Sequence, residues 1–238
     1  NILIVYSLAS GGVSIAALFL AGYIPGILFG LSLMVVAYIF AKKHNYKVNV
    51  EFSFSDSIKK FFNAVPSLLL IIIVIGGIVA GYFTATEASA VAVLYAFVLS
   101  VFIYKEIKIK DLPNILLNSA STTAIVMLLV GTSMAMSWVM ANENIPQNVA
   151  QALLALSDNK IVILLIINVI LLFIGTFMDM TPAVLIFTPI FLPVALQLGI
   201  DPIHFGILMV MNLSVGICTP PVGSVLFVGC SVAGLPIT

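Results

Sequence analysis

Hard oxygen donors gather at two places in this chain. One is Gly175-Thr176-Phe177-Met178-Asp179-Met180-Thr181-Pro182, the other Gly216-Ile217-Cys218-Thr219-Pro220-Pro221-Val222-Gly223. Each carries glycine, threonine and proline in that order, and each interrupts an apolar run. Where a helix stops near glycine, its last carbonyls lack partners. Free carbonyls and threonine hydroxyls suit a hard cation such as Na⁺ better than a transition metal. Proline after threonine or aspartate marks the opposite feature, a helix start with a side-chain cap. Three such pairs read as helix starts: Thr181-Pro182, Asp201-Pro202 and Thr219-Pro220. The amides and positive dipole of a helix start attract an anion. The pattern nominates Gly175, Thr176, Asp179, Gly216 and Thr219 for a cation, and Thr181, Pro182, Pro220 and Pro221 for an anionic substrate. The alternative is that glycine and proline only kink packed helices.

Other polar residues have plainer readings. Asp179 is the only carboxylate within the long apolar segments, where a carboxylate is costly and by default functional. It serves the cation directly, or it braces the turn by accepting from the amides of Thr181 to Ala183. Glu87 reads as a cap of the helix after Thr84, with proton or cation coupling as the second reading. His204 reads as a hydrogen-bonded structural histidine rather than a proton relay. Asn168 and Asn212 read as interhelical hydrogen-bond partners. Cys218 and Cys230 would lie about 18 Å apart along a helix, too far to bridge. Both read as small packing residues, with Cys218 beside the site.

The elements that must position these groups are set by composition. The chain has 238 residues, 62% hydrophobic and 8% charged, where soluble domains carry about 25% charged residues. It is an all-α integral membrane protein. Nine lysines balance nine acids, with no arginine, so there is no basic patch for nucleic acid. No His-Glu-x-x-His, Cys-x-x-Cys or P-loop is present. An intramembrane aspartyl protease needs two intramembrane aspartates, and one is present.

Asn1 is followed by an apolar run too short to span, which suggests a chain begun partway through a membrane segment. The end at Thr238 reads the same way. Residues 15–41 form one long span containing Gly22, Pro25, Gly26 and Gly30. Residues 42–62 form a loop, part of which suits a short interfacial helix or an ordinary solvated loop. Residues 63–141 hold spans at 65–81, 88–104 and 115–141, with Trp138 near the far end of the last. Residues 142–160 read as an external loop. The runs on either side of residues 175–182 are each short of a full span, which with the polar turn suggests a re-entrant hairpin over 161–198. Exposed backbone at membrane depth is tolerable only where it lines a site. A broken helix follows over 202–238. Eight of nine lysines lie in 42–60 and 105–111, so the positive-inside rule makes those loops cytoplasmic and 142–160 periplasmic.

These motifs resemble those of one family. Gly175-Thr-Phe-Met-Asp179 through Pro189 and Leu192-Pro193, Gly199-Ile-Asp-Pro-Ile-His-Phe-Gly206 and Gly216-Ile-Cys-Thr-Pro-Pro-Val-Gly223 are similar to segments of the large membrane subunit of tripartite ATP-independent periplasmic (TRAP) transporters, the DctM-like proteins. Leu18 to Gly22 with Pro25-Gly26, and Gly76-Gly77-Ile78 through Ala88, resemble it as well, although the family usually has proline where Ala85 stands. The resemblance implies an inverted-repeat, elevator-type transporter in the bacterial inner membrane. Residues 1–41 would then close the first repeat, and the rest would form the second. It implies Na⁺ as coupling ion and a small membrane subunit, separate or fused. It also implies a periplasmic binding protein that delivers a carboxylated solute of the sialic acid or C4-dicarboxylate type. Two other readings stand beside it: a Na⁺/organic-anion symporter or antiporter working without a binding protein, and an intramembrane hydrolase.

The lysine distribution makes a direct prediction. In intact spheroplasts, an impermeant thiol reagent should label a cysteine placed at Asp158 and spare one placed at Lys43. The reverse pattern would overturn the orientation.

Overall fold

A chain crossing lipid must satisfy its backbone internally, as helices or as a closed barrel. The computed structural model describes residues 2–44, 54–157 and 159–220, with 223, 225, 229 and 230. Among these residues the regular structure is helical. The α-helices are α1 (Ile2–Ala9), α2 (Ile15–Lys43), α3 (Phe54–Val79), α4 (Ala85–Val98), α5 (Leu112–Asn142), α6 (Ile145–Leu156), α7 (Lys160–Phe177), α8 (Met180–Gln197) and α9 (Pro202–Gly216). Among the described residues six stretches are long and apolar enough to cross a membrane: Ile15–Lys43, Ile58–Val79, Ala85–Ile103, Ile109–Asn142, Lys160–Phe177 and Met180–Gln197. The protein is therefore a multi-pass membrane protein.

The chain forms two compact units. One comprises residues 22–120, the other residues 1–21 with 121–238. In the first, α3 and α4 form a tight helical hairpin. Gly81 follows α3 at φ +77°, a left-handed position that glycine adopts freely. The Phe83 ring then folds back over Gly77, where any side chain would collide with it. Helix α4 opens with a capping box. Thr84 Oγ1 accepts from the Glu87 amide at 3.3 Å, and Glu87 Oε2 accepts from the Thr84 amide at 2.8 Å. The capping reading of Glu87 holds. Pro66 sits inside α3 and has no N–H to donate. Tyrosine hydroxyls bind that region: Tyr95 donates to the Pro66 carbonyl at 2.8 Å, and Tyr104 to the Asn63 carbonyl at 3.1 Å. Helix α4 ends in a π-helical turn, Leu99–Ile103.

The second unit holds the larger core. Ile163, Ile167 and Leu171 recur every fourth residue on α7 and are fully buried. Phe205, Met209 and Leu213 do the same on α9. These stripes face each other, and each ends in a glycine, Gly175 and Gly216. Helix α8 packs against α9, α6 and α1 through Ala183, Val184, Phe191, Val194 and Ala195. It stops at Gly199, φ +69°. There the Ile200 amide reaches back to the Ala195 carbonyl at 2.9 Å and the Ile200 side chain is buried, a helix end closed by glycine. Asp201 then caps α9, accepting from the Ile203 amide at 2.8 Å with Pro202 in the first turn. The Asp201-Pro202 start is as expected.

Several boundaries differ from expectation. Residues 54–62 belong to the same helix as the span after them rather than to a loop or a separate interfacial helix. Residues 45–53 lie outside the described residues. The stretch taken as an external loop contains α6, whose Pro146, Ala150 and Leu153 are buried. Asp158 lies outside the described residues. Helices α7 and α8 reach 18 residues each, about 27 Å of rise. They are longer than the apolar flanks because Gly175, Thr176 and Phe177 stay helical and only Met178 and Asp179 form the break.

Tyr6 is the joint between α1 and α9. Its fully buried ring lies on Gly206, where no side chain fits, and its hydroxyl donates to the Pro202 carbonyl at 2.6 Å. Tyr6→Phe should cost about 1 kcal/mol. Tyr6→Ala should cost about 3–5 kcal/mol, as other large aromatic truncations do. Thermal unfolding in detergent should rank wild type, Phe and Ala in that order. Equal transitions for all three would show that the joint is not structural.

Candidate functional site

The site is built where α7 and α9 converge. Asn168 on α7 meets Asn212 on α9: the Asn212 amide nitrogen donates to the Asn168 carbonyl at 2.9 Å and to its Oδ1 at 2.7 Å. The Asn168 amide nitrogen donates to the Leu164 carbonyl at 2.8 Å. Both asparagines are therefore interhelical partners, as their sequence setting indicated. About two turns further along α7 and one turn along α9, the backbones touch. A Cβ on Gly216 would stand 2.8 Å from Gly175 Cα and 3.2 Å from the Leu172 carbonyl oxygen. A Cβ on Gly175 would stand 3.1 Å from Gly216 Cα. Real Cβ atoms essentially never stand under 3.0 Å from a neighbour, so this approach requires glycine at 216, while a Cβ at 175 would fit only if the facing backbone gave way by a few tenths of an ångström.

Because 168 pairs with 212 and 175 with 216, the two helices advance in the same direction. Their C-terminal ends therefore meet. Helix C-termini present carbonyls without intrahelical partners. The Thr176 carbonyl accepts from the Gly223 amide at 3.3 Å, and the Ile217 carbonyl from the Val225 amide at 3.3 Å. Chain after α9 thus returns across the end of α7. The Gly216 carbonyl accepts from the Thr219 amide at 2.9 Å and keeps a second lone pair. The Gly175 carbonyl takes no turn or capping hydrogen bond among the described residues.

The threonine hydroxyls are tethered. Thr176, which is buried, donates to the Phe173 carbonyl at 2.7 Å, and Thr219 to the Val215 carbonyl at 2.7 Å. Each hydroxyl proton is thereby spent on its own helix, and the oxygen lone pairs stay available to a cation. Gly175, Thr176 and Gly216 are brought together by the crossing, and Thr219 follows Gly216 by one tight turn.

Asp179 behaves differently from the bracing reading. It occupies the N-cap position of α8, yet its carboxylate makes no capping hydrogen bond, and the residue is exposed. Among the described residues the amides of Met180 and Thr181 at the start of α8 have no hydrogen-bond partner, and Pro182 has no amide to offer. The helix therefore begins at Met180 with Asp179 as N-cap, not at Pro182 with Thr181 as N-cap. Thr181 and Pro182 lie in its first turn. Proline is tolerated anywhere its missing N–H would be unpaired, so it marks the first turn without fixing the first residue. Pro220 sits in a turn beyond α9 and is exposed. Pro221 lies outside the described residues, as does most of the second half of the expected broken helix.

Two further expectations are corrected, and one residue was missed. His204 is exposed and its side chain makes no hydrogen bond among the described residues, because it sits on the outward side of the first turn of α9. Cys218 is exposed rather than packed. Tyr6, the residue that ties α1 to α9, carried no signal in a short N-terminal apolar stretch. Its partner Gly206 was visible only as part of a longer motif.

The family model of the tripartite ATP-independent periplasmic transporter DctM component matches residues 2–238. The chain belongs to this family. It is 59% identical over its whole length to an uncharacterized protein, YgiK, of Salmonella typhimurium, covering 54% of that protein. It is 40% identical to the C4-dicarboxylate TRAP transporter large permease protein DctM of Pseudomonas aeruginosa, over 99% of this chain and 55% of the relative. It is 42% identical to the sialic acid TRAP transporter large permease protein SiaM of Vibrio cholerae, over 98% of this chain and 55% of the relative. The chain thus spans about half the length of the curated relatives it matches. Membership of a transporter family agrees with a non-enzymatic reading.

The glycine crossing makes a graded prediction. Gly216→Ala, whose Cβ would meet backbone at 2.8 Å, should disturb the site more than Gly175→Ala at 3.1 Å. Gly131→Ala, with nothing within 4 Å, should be silent. Uptake assays at matched membrane expression should give that order. Full activity in Gly216→Ala would mean that the close approach is dispensable.

Proposed function

We propose that the chain is part of the translocation subunit of a TRAP transporter that imports an organic anion using the Na⁺ gradient. The observation that carries this reading is the meeting of two helix C-termini at Gly175 and Gly216. Carbonyls and tethered threonine hydroxyls concentrate there without a lysine or arginine to neutralise them. Such a set fits an alkali cation in charge and hardness. Gly175, Thr176, Gly216 and Thr219 would supply the oxygens. Asp179, exposed at the turn and unspent on capping, would add negative charge nearby. The uncapped start of α8 at Met180 and Thr181, beside Pro182, would receive the anionic group of the solute, and Pro220 and Pro221 would frame the opposite side.

The same reading makes α7 and α8 a re-entrant hairpin of an elevator-type, inverted-repeat transporter in the bacterial inner membrane. A small membrane subunit and a periplasmic binding protein would complete the system. Relatives carry names for C4-dicarboxylate, sialic acid, isethionate and 2,3-diketo-L-gulonate systems. All of these are organic anions, and we assign this chain a solute of that class, of the sialic acid or C4-dicarboxylate type.

In proteoliposomes with the binding protein supplied, uptake should need Na⁺ and no ATP. Thr176→Ala and Thr219→Ala should each raise the Na⁺ concentration for half-maximal uptake and leave affinity for the binding protein unchanged. Losing one charge-assisted ligand bond of about 1.5–3 kcal/mol corresponds to an increase of roughly ten- to hundred-fold. Undiminished uptake with K⁺ in place of Na⁺ on both sides would remove Na⁺ coupling. Wild-type Na⁺ dependence in Thr219→Ala would remove that hydroxyl from the ligand set.

A further inference from the structure

We propose that the base of the α3–α4 hairpin is a docking surface for anionic phospholipid headgroups. Two lysine groups converge there within one compact unit. Lys59 and Lys60 lie on α3, within one helical turn of Asn63. Lys105, Lys108 and Lys110 lie in the connection from α4 to α5. Tyr104 joins the two groups. Its hydroxyl is 3.1 Å from the Asn63 carbonyl and 3.1 Å from Ser67 Oγ, and Lys105 is its neighbour in the chain.

The connection is held rather than loose. The Glu106 and Ile107 amides both donate to the Ser100 carbonyl, at 3.0 and 3.3 Å, and the Lys108 amide donates to Asp111 Oδ2 at 3.2 Å. Lys105 itself adopts φ +54°, a left-handed conformation that suits glycine and that side chains rarely take. All five lysines are exposed, and no ion pair to any of them occurs among the described residues. The acids on the same elements are Glu106 and Asp111 in the connection and Asp56 at the start of α3, so lysine is in excess.

Exposed apolar side chains frame the charges. Phe61, Phe62 and Ile109 point outward at 59%, 67% and 71% exposure. Lysine ammonium groups beside exposed aromatic and aliphatic side chains match the two layers of a bilayer interface, headgroup phosphate and upper acyl chain. Charge complementarity selects phosphatidylglycerol or a similar anionic lipid over zwitterionic phosphatidylcholine. The face is the one that the lysine distribution assigns to the cytoplasm, where anionic lipid attracts such segments.

The test is native mass spectrometry of the purified protein in micelles doped equally with phosphatidylglycerol and phosphatidylcholine. Wild type should retain phosphatidylglycerol preferentially and release it as salt is raised. Each lysine changed to Gln should lower retention by roughly five-fold at low salt. Lys59→Gln with Lys60→Gln, and Lys105→Gln with Lys108→Gln and Lys110→Gln, should each weaken it, and the five together should abolish the preference. The five Lys→Arg changes should keep it, and Lys160→Gln, outside this unit, should leave it unchanged. Equal retention of both lipids by wild type would overturn the proposal. So would wild-type retention in either Gln set, or a loss with Lys160→Gln as large as theirs. If the five-residue variant does not fold, the two smaller sets and the salt release of wild type decide the matter alone.

Discussion

The unit that carries the site depends on one backbone contact, Gly175 against Gly216. Where two helices are separated by side chains, their axes stand about 8–10 Å apart. Here the ladders of Ile163, Ile167 and Leu171 on α7 and of Phe205, Met209 and Leu213 on α9 fill the gap at one end. Their termination in glycine closes it at the other. That taper sets the depth of the break after α7 relative to the end of α9. It also fixes the register of Asn168 on Asn212 and brings the chain after α9 within reach of the Thr176 carbonyl. A methyl group at either glycine would widen the joint and disturb all of these together.

Much of this arrangement was legible in the sequence where the physics is local. Asp201-Pro202 and Thr84 with Glu87 are caps whose partners lie within three residues, so the residue types alone identify them. The two glycine-threonine-proline breaks were visible for the same reason. Features set by distant neighbours were not. Gly175 and Gly216 read as places where helices stop. Gly216 is in fact the last residue of α9, and Gly175 lies inside the last turn of α7, two residues before its end; each lies against the backbone of the other helix rather than in a turn. The start of α8 was misplaced because Asp179 and Thr181 are both good capping residues, and only the backbone shows which one sits outside the helix. Helix α6 was hidden in a polar stretch. Its buried Ala150 and Leu153 acquire meaning only once α8 lies against them. The exposure of His204 and Cys218, and the burial of Tyr6, were equally beyond a reading confined to neighbours in the chain.

The two units pair their polar groups differently. In residues 22–120, the proline inside α3 disturbs the ladder of backbone bonds, and tyrosine hydroxyls from α4 and the π-helical turn beyond it occupy the carbonyls of Pro66 and Asn63. In the other unit, polar groups are matched across helices: Asn168 with Asn212, Tyr6 with Pro202, and buried Thr188 with the Met209 sulfur at 3.4 Å. Asn212 Oδ1 is the exception, a buried acceptor with no protein donor among the described residues. One such atom beside a convergence of carbonyls is the kind of exception that an ordered water satisfies.

The parallel course of α7 and α9 has an electrostatic consequence. Each helix end concentrates roughly half a unit of negative charge, and here two such ends are pressed together at a backbone contact. Like charges held this close repel, so the joint is a loaded spring whose resting length depends on what sits between its arms. A cation arriving there would do more than bind. It would reverse the sign of the force across the crossing and turn a contact that tends to open into one that holds shut.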